Sequence, residues 1–306
     1  MNLEKAYKAL SEYFQPDQLL QNESMKKHTS FRIGGPADLM IIPSEIEQIR
    51  LAYKVLRDNN VPVMVMGNGT NLLVRDKGIR GAVIKIANRF NRAEVKGETI
   101  LAQAGILLSA LSNLALKHSL KGLEFASGIP GTLGGAVTMN AGAYGGEMKD
   151  VIEWVSVMDL DENGRIITLG RNELGLGYRT SIIQVSNMIV LEVFMQLEKG
   201  RYEESKALIQ ELTKRRQEKQ PLSYPSAGSA FKRPVGYYAG KLIQDAGLKG
   251  MRVGDAQISE KHSGFIINLG NATACDVIQL IEKAKTRVKE HTGVELIPEV
   301  RIIGED

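Results

Sequence analysis

One cysteine, one tryptophan, four histidines and no long apolar run are what this 306-residue chain has little of, and each scarcity removes a class of function. A single thiol, Cys275, cannot build an internal disulfide framework or a cysteine-based metal cluster. It falls in the first turn of a helix expected to open at Thr273 and Asp276, which suits a buried or half-buried structural thiol better than a nucleophile. His28, His118, His262 and His291 are scattered and read as surface or capping groups, His291 lying in the last turn before Gly293. A metal site therefore has no support. No stretch approaches the ~20 apolar residues of a membrane span, and the N-terminus reads as an amphipathic helix rather than an export signal. A cytoplasmic protein with no membrane partner is expected.

Charge of one sign is also lacking: 39 Lys and Arg stand against 35 Asp and Glu, for a net charge of +4. The one basic cluster, Lys214, Arg215, Arg216 and Lys219, is mixed with Glu211, Gln217 and Glu218 and reads as a solvated helix face. Without the aromatic stacking motifs of RNA-binding modules, nucleic acid is disfavoured as a partner. Modest positive charge suits an anionic small molecule. Also absent are a Gly-Lys-Ser/Thr phosphate loop, a His-Glu-x-x-His helix, a nucleophile elbow and a carboxylate metal loop, so hydrolysis has no obvious machinery.

Glycine, by contrast, is concentrated. Residues 122–146 hold 8 of the chain's 31 glycines, interleaved with Phe125, Ile129, Leu133, Val137, Met139 and Tyr144. A flexible linker would mix glycine with serine and charge. Here the apolar neighbours want burial, and glycine brings backbone close to something buried, so that runs such as 131–135 and 140–142 can turn N–H groups toward an anion. A second glycine loop, Gly-Asn-Gly-Thr-Asn-Leu at 67–72, lacks the third glycine and the following helix of a dinucleotide fingerprint.

Along the chain, periodicity predicts a helix over 3–14, a strand over 38–43 and a helix over 44–59 opened by a Ser44/Glu47 capping box. A strand over 61–66 completes an expected β–α–β unit across 37–66. Strands over 81–86, 92–96, 99–103, 151–158, 165–169 and 188–197 and a helix over 107–117 follow. A charged helix over 202–219 leads to helices over 237–247 and 273–292 and strands over 264–269 and 296–303. The expected division is a lead-in over 1–33, one α+β unit over 34–200 and a smaller α+β unit over 201–306.

Six motifs resemble one family in order. They are Gly-Asn-Gly-Thr-Asn-Leu-Leu-Val-Arg-Asp-Lys-Gly at 67–78, Gly-Leu-Glu-Phe-Ala-Ser-Gly-Ile-Pro-Gly-Thr-Leu-Gly-Gly at 122–135 and Asn-Ala-Gly-Ala-Tyr-Gly at 140–145, then Gly-Tyr-Arg-Thr-Ser at 177–181, Ala-Gly-Ser-Ala-Phe-Lys at 227–232 and Pro-Glu-Val-Arg at 298–301. Together they resemble the MurB family of flavin reductases, in the shorter form that lacks a substrate-covering tyrosine loop. The resemblance implies an α+β fold of the vanillyl-alcohol oxidase and p-cresol methylhydroxylase type, two subdomains clasping non-covalent FAD, followed by a substrate domain. It implies an enzyme using NADPH to reduce UDP-N-acetylglucosamine enolpyruvate; a monomer is expected. FAD contacts carried over by motif are Gly67, Asn68, Gly69, Thr70, Asn71, Leu72, Pro130, Gly131, Thr132, Gly134, Gly135, Asn140, Ala141 and Gly142.

By the same resemblance Arg179 would hold the substrate carboxylate, Glu299 would support the developing enolate with a pKa raised by burial, and Ser229 would protonate the adjacent carbon. Glu299 is notable on its own, because a carboxylate among Leu-Ile-Pro and Val-Arg-Ile-Ile is costly unless paired. Tyr178, Lys232, Lys241 and Asn268 are further candidates for contacts to the substrate or its diphosphate, the mixture of aromatics and cations suiting a uridine diphosphate. Two other readings stand beside this one: an oxidase of the same flavin fold acting on an alcohol or sugar, and a non-catalytic nucleotide-sugar or flavin sensor.

Overall fold

A computed structural model describes residues 1–306, which form two compact units. The first comprises Met1–Leu20, Leu39–Asn68 and Gly81–Arg216; the second comprises Gln21–Asp38, Gly69–Arg80 and Gln217–Asp306. Both are discontinuous, which replaces the expected changeover near residue 200. The reason lies in side chains: Phe31, Ile33 and Leu73 are buried in the same apolar cluster as Leu242, Ile266, Leu280 and Val300.

The first unit is organised on a five-stranded antiparallel sheet in the order Arg165–Gly170, Ile152–Asp159, Met188–Gln196, Thr99–Gln103 and Ala93–Lys96. The chain's one tryptophan, Trp154, sits opposite Phe194 in this register, and the two rings stack with centroids 5.1 Å apart. Helices α1 (Leu3–Leu10), α2 (Ile46–Asp58), α3 (Leu108–Lys117) and α4 (Leu133–Met139) belong to this unit, and α5 (Tyr202–Lys219) leaves it. On α2 the buried residues Ile49, Ala52 and Leu56 recur at helical spacing, so one stripe faces the core. The expected Ser44/Glu47 box is formed differently: the Ser44 N–H and hydroxyl both donate to Gln48 Oε1, at 2.8 and 3.0 Å. The expected β–α–β unit also has an insertion, because Ile79–Lys85 lies between Pro36–Ile41 and Val63–Met66 in the sheet, parallel to the latter with Val63 opposite Ala82.

The second unit carries a four-stranded sheet in the order Ser226–Ser229, Phe265–Asn268, Ala256–Ile258 and Arg252–Val253. Helix α6 (Ala239–Asp245) is shorter than expected at both ends, and α7 (Ala274–Thr292) matches its expected span. The buried face of α7, made by Val277, Leu280, Ile281, Ala284 and Val288, belongs to this unit's core. Arg301–Ile303 pairs in parallel with Leu72–Val74; residues 296–300, expected as strand, form no strand, only an isolated bridge at Pro298.

Candidate functional site

In the first unit the two glycine segments meet. A Cβ on Gly67 would fall well inside van der Waals contact of Thr132 Oγ1, so glycine is required where the first loop reaches the second. Thr132 is buried, and the amides of the turn around it divide into paired and unpaired. The Leu133 and Gly134 amides donate to Ile106 O and Ala104 O, each at 2.8 Å, whereas those of Gly131, Thr132 and Gly135 meet no acceptor in the chain. Unpaired amides in a glycine turn, one of them on a buried residue, are donors suited to a phosphate. Gly134, expected as a cofactor contact, has a packing reason of its own: its Cβ would approach Ala104 Cβ to 3.0 Å.

Asn140 is likewise committed to the fold. It is buried in left-handed conformation at φ 41°, and its amide nitrogen donates to Glu147 Oε2 at 2.8 Å and Gly177 O at 3.0 Å, while Oδ1 accepts from Lys149 N at 2.9 Å. The hydrogen bond from Lys149 holds the Glu147 carboxyl below its ordinary pKa against the opposing effect of burial, and Asn140 adds to the lowering. Through Gly177 this cluster tethers the loop that presents Arg179. That loop is strained: Arg179 takes φ 54°, a conformation costly for a residue with Cβ. Gln184 Nε2 supports it by donating to Arg179 O at 2.9 Å and Thr138 O at 2.8 Å, and Ser181 Oγ donates to Thr138 O at 2.7 Å. The half-buried guanidinium reaches Gly142 O at 3.4 Å and lies 5.4 Å from the centroid of the exposed Tyr178 ring.

The second unit brings Ser229 and Glu299 together. Phe231 and Pro298 form an antiparallel bridge, Glu299 N donates to Ala230 O at 2.9 Å and Lys232 N donates to Ile297 O at 2.8 Å. Ser229 ends a strand paired with Phe265 and is exposed; Glu299 is half-buried, less enclosed than its apolar run suggested because Ile297 faces solvent. Asn71 braces the same segment, Nδ2 donating to Glu299 O at 3.0 Å and its carbonyl accepting from Arg301 N at 2.9 Å. Lys232 is half-buried, and exposed Lys241 pairs with Asp245 at 2.9 Å. Asn268, expected to touch substrate, is only 2% exposed and is spent on the backbone: it donates to Phe31 O at 3.0 Å and accepts from Gly270 N and Ala272 N at 2.8 and 3.0 Å.

Residues 37–170 match a family described as FAD binding domain, and residues 220–303 match UDP-N-acetylenolpyruvoylglucosamine reductase, C-terminal domain. The UDP-N-acetylenolpyruvoylglucosamine reductase of Alkaliphilus oremlandii is 58% identical over 302 residues, 99% of each chain, and that of Caldanaerobacter subterraneus subsp. tengcongensis is 56% identical over 97% of each. This chain belongs to the UDP-N-acetylenolpyruvoylglucosamine reductase family. The crystal structure of the MurB enzyme from Thermus caldophilus superposes with a TM-score of 0.79 at 39% identity, covering 93% of this chain and 97% of that one. As a MurB-family member the chain is an oxidoreductase of α+β fold with FAD as its cofactor, and the unpaired amides of Gly131, Thr132 and Gly135 fit that group.

Three expectations are corrected by the site's surroundings. Cys275 is exposed rather than buried, because its position on α7 lies off the helix's core stripe. His262 is half-buried rather than on the surface, although Nδ1 caps the Gly264 amide at 3.1 Å, the other role expected of it. Arg216 is half-buried, not part of a solvated face. Sequence reasoning had no signal for the bracing roles of Asn71, Asn140 and Gln184, since each depends on a partner distant in the chain.

Proposed function

We propose that the chain reduces UDP-N-acetylglucosamine enolpyruvate to UDP-N-acetylmuramate, a step of peptidoglycan precursor synthesis, with NADPH as the reductant, as a cytoplasmic monomer. The observation that carries the residue assignment is the backbone pairing of the Ala230–Lys232 and Ile297–Glu299 segments, which sets Ser229 and Glu299 on adjoining stretches of one unit. FAD, when bound, supplies the hydride for the terminal carbon of the enolpyruvyl double bond. Arg179 ion-pairs with the substrate carboxylate, into which negative charge is pushed, and Glu299 supports the resulting enolate through a hydrogen bond. Ser229 delivers the proton to the adjacent carbon, so hydride and proton together saturate the double bond. An unassisted serine is a weak acid, and Lys232, two residues from Ala230 on the same segment, is the cation that assists it. Tyr178 serves the diphosphate; Lys241 would have to exchange Asp245 for it.

Separating the half-reactions tests this. Ser229→Ala is expected to leave flavin reduction by NADPH near the parental rate and to slow reoxidation by the enolpyruvyl substrate ~10² to 10⁴-fold, the usual contribution of a general acid. Stopped-flow absorbance follows each phase. Reoxidation at the parental rate would remove Ser229 from the mechanism. Flavin that stays attached to acid-denatured protein would instead favour the covalent oxidase reading.

A further inference from the structure

Helix α5 carries three consecutive cations, Lys214, Arg215 and Arg216, with different surroundings. Arg215 pairs with Glu211 one turn earlier, as a solvated helix face should. Arg216 turns the other way. It is half-buried, burial draws its pKa below the ordinary value, and no carboxylate is among the groups that act on it; the titratable neighbour it senses is Tyr144. Its stem packs on Gly128, where a Cβ would sit 3.2 Å from Cδ and 3.7 Å from Nη1, so the glycine leaves room for the arginine.

Gly128 and Tyr144 both belong to the glycine-rich segment 122–146, one lying two residues before Pro130 and the other two residues after Gly142. Arg216 is thus delivered from a helix outside the matched FAD-binding region onto the segment whose turn holds the unpaired amides of Gly131, Thr132 and Gly135. Desolvating a cation without a counter-charge is unfavourable, and a guanidinium cannot escape by deprotonating. Such a group is retained where a ligand completes it. We propose that Arg216 is a cofactor-binding residue, its guanidinium serving an anionic or electron-rich oxygen of bound FAD. A planar fork of N–H donors suits a phosphate or a ring carbonyl. The inference uses only the FAD site and is independent of NADPH, Ser229 and Glu299.

Apoprotein and holoprotein should respond in opposite directions. Arg216→Met keeps an unbranched stem against Gly128 and removes the charge. With no ion pair to lose, the apo variant is expected to melt at or above the parental temperature. Its affinity for FAD, measured by flavin fluorescence on titration of apoprotein, should fall at least ~10-fold, the loss of one charge-assisted contact. Arg216→Lys, which retains charge but not the fork, should lose affinity several-fold and decides the matter should the methionine variant fail to fold. Parental FAD affinity in either variant overturns the proposal. So does a loss confined to UDP binding by the holoprotein, which would assign the guanidinium to the substrate, and so does a lower apo melting temperature with FAD affinity unchanged, which would make Arg216 structural.

Discussion

His262 shows how a single side chain writes pH dependence into the fold. Its ring packs edge-on to Phe265 with centroids 5.0 Å apart, and Nδ1 accepts the Gly264 amide, so the proton of the neutral ring is assigned to Nε2. Burial lowers its pKa from the ordinary 6.5, outweighing a backbone hydrogen bond that raises it. The unfolded chain therefore takes up a proton at a pH where the folded chain does not. The contribution to stability is complete above 6.5 and is lost as the pH falls from there through the folded value. Denaturation midpoints should drop between pH 7 and 5 more steeply for the parental protein than for His262→Gln, whose amide oxygen can still accept from Gly264. Equal slopes would show that His262 does not titrate with folding. Arg179 makes the same point about cost: its left-handed backbone is sustained by Gln184, Ser181 and Asn140 through hydrogen bonds to its own loop and to Thr138.

At the scale of elements, α7 is the best-determined helix in the chain. Thr273 and Asp276 cap each other, with Asp276 N reaching Thr273 Oγ1 at 3.1 Å and Thr273 N reaching Asp276 Oδ2 at 2.9 Å, and Gly293 ends the helix at φ 73°. A third cap comes from far away in sequence. Asp76 accepts from Ala274 N at 2.9 Å through Oδ1 and from Cys275 N at 3.1 Å through Oδ2. The Arg-Asp-Lys-Gly end of the first glycine motif therefore serves the second unit's longest helix. Asp76→Ala should cost about 1 kcal/mol, the usual worth of an N-terminal cap, and lower the melting temperature by a few degrees. FAD content of the purified variant should be unchanged. Lost flavin with unaltered stability would instead make Asp76 a cofactor-site residue.

Over the whole molecule, two apolar clusters account for the discontinuous units. Phe31 and Ile33 enter the second cluster from the segment Gln21–Asp38, and Leu73 enters from Gly69–Arg80, where Leu72–Val74 also supplies the parallel partner of Arg301–Ile303. The matched C-terminal domain, 220–303, contains none of Phe31, Ile33 and Leu72–Val74. A fragment spanning 217–306 should accordingly lack cooperative thermal unfolding and show little amide protection by hydrogen exchange. A sharp melting transition in that fragment would show that α7 and its sheet need neither the earlier segments nor the Asp76 cap.

What the sequence determined by itself is what short-range physics decides. Helical spacing placed α2, α3, α5 and α7 to within a few residues, alternation and apolar runs placed the strands of the five-stranded sheet, and glycine density marked the turn whose amides stay unpaired. Arg179 and Ser229 stand out only through the family resemblance, whereas Glu299 is already conspicuous as a carboxylate in an apolar run. The tertiary structure decided what depends on partners remote in the chain. Asn268 and Asn140 have their polar atoms drawn to backbone groups, Asn71 braces Glu299, and Asp76 caps a helix 198 residues away. Arg216 is one more charge on a polar helix by sequence, and only the contact of its stem with Gly128 sets it apart. An amide, a carboxylate or a guanidinium has the same local propensity whether it faces water, backbone or ligand, and only the packed chain distinguishes them.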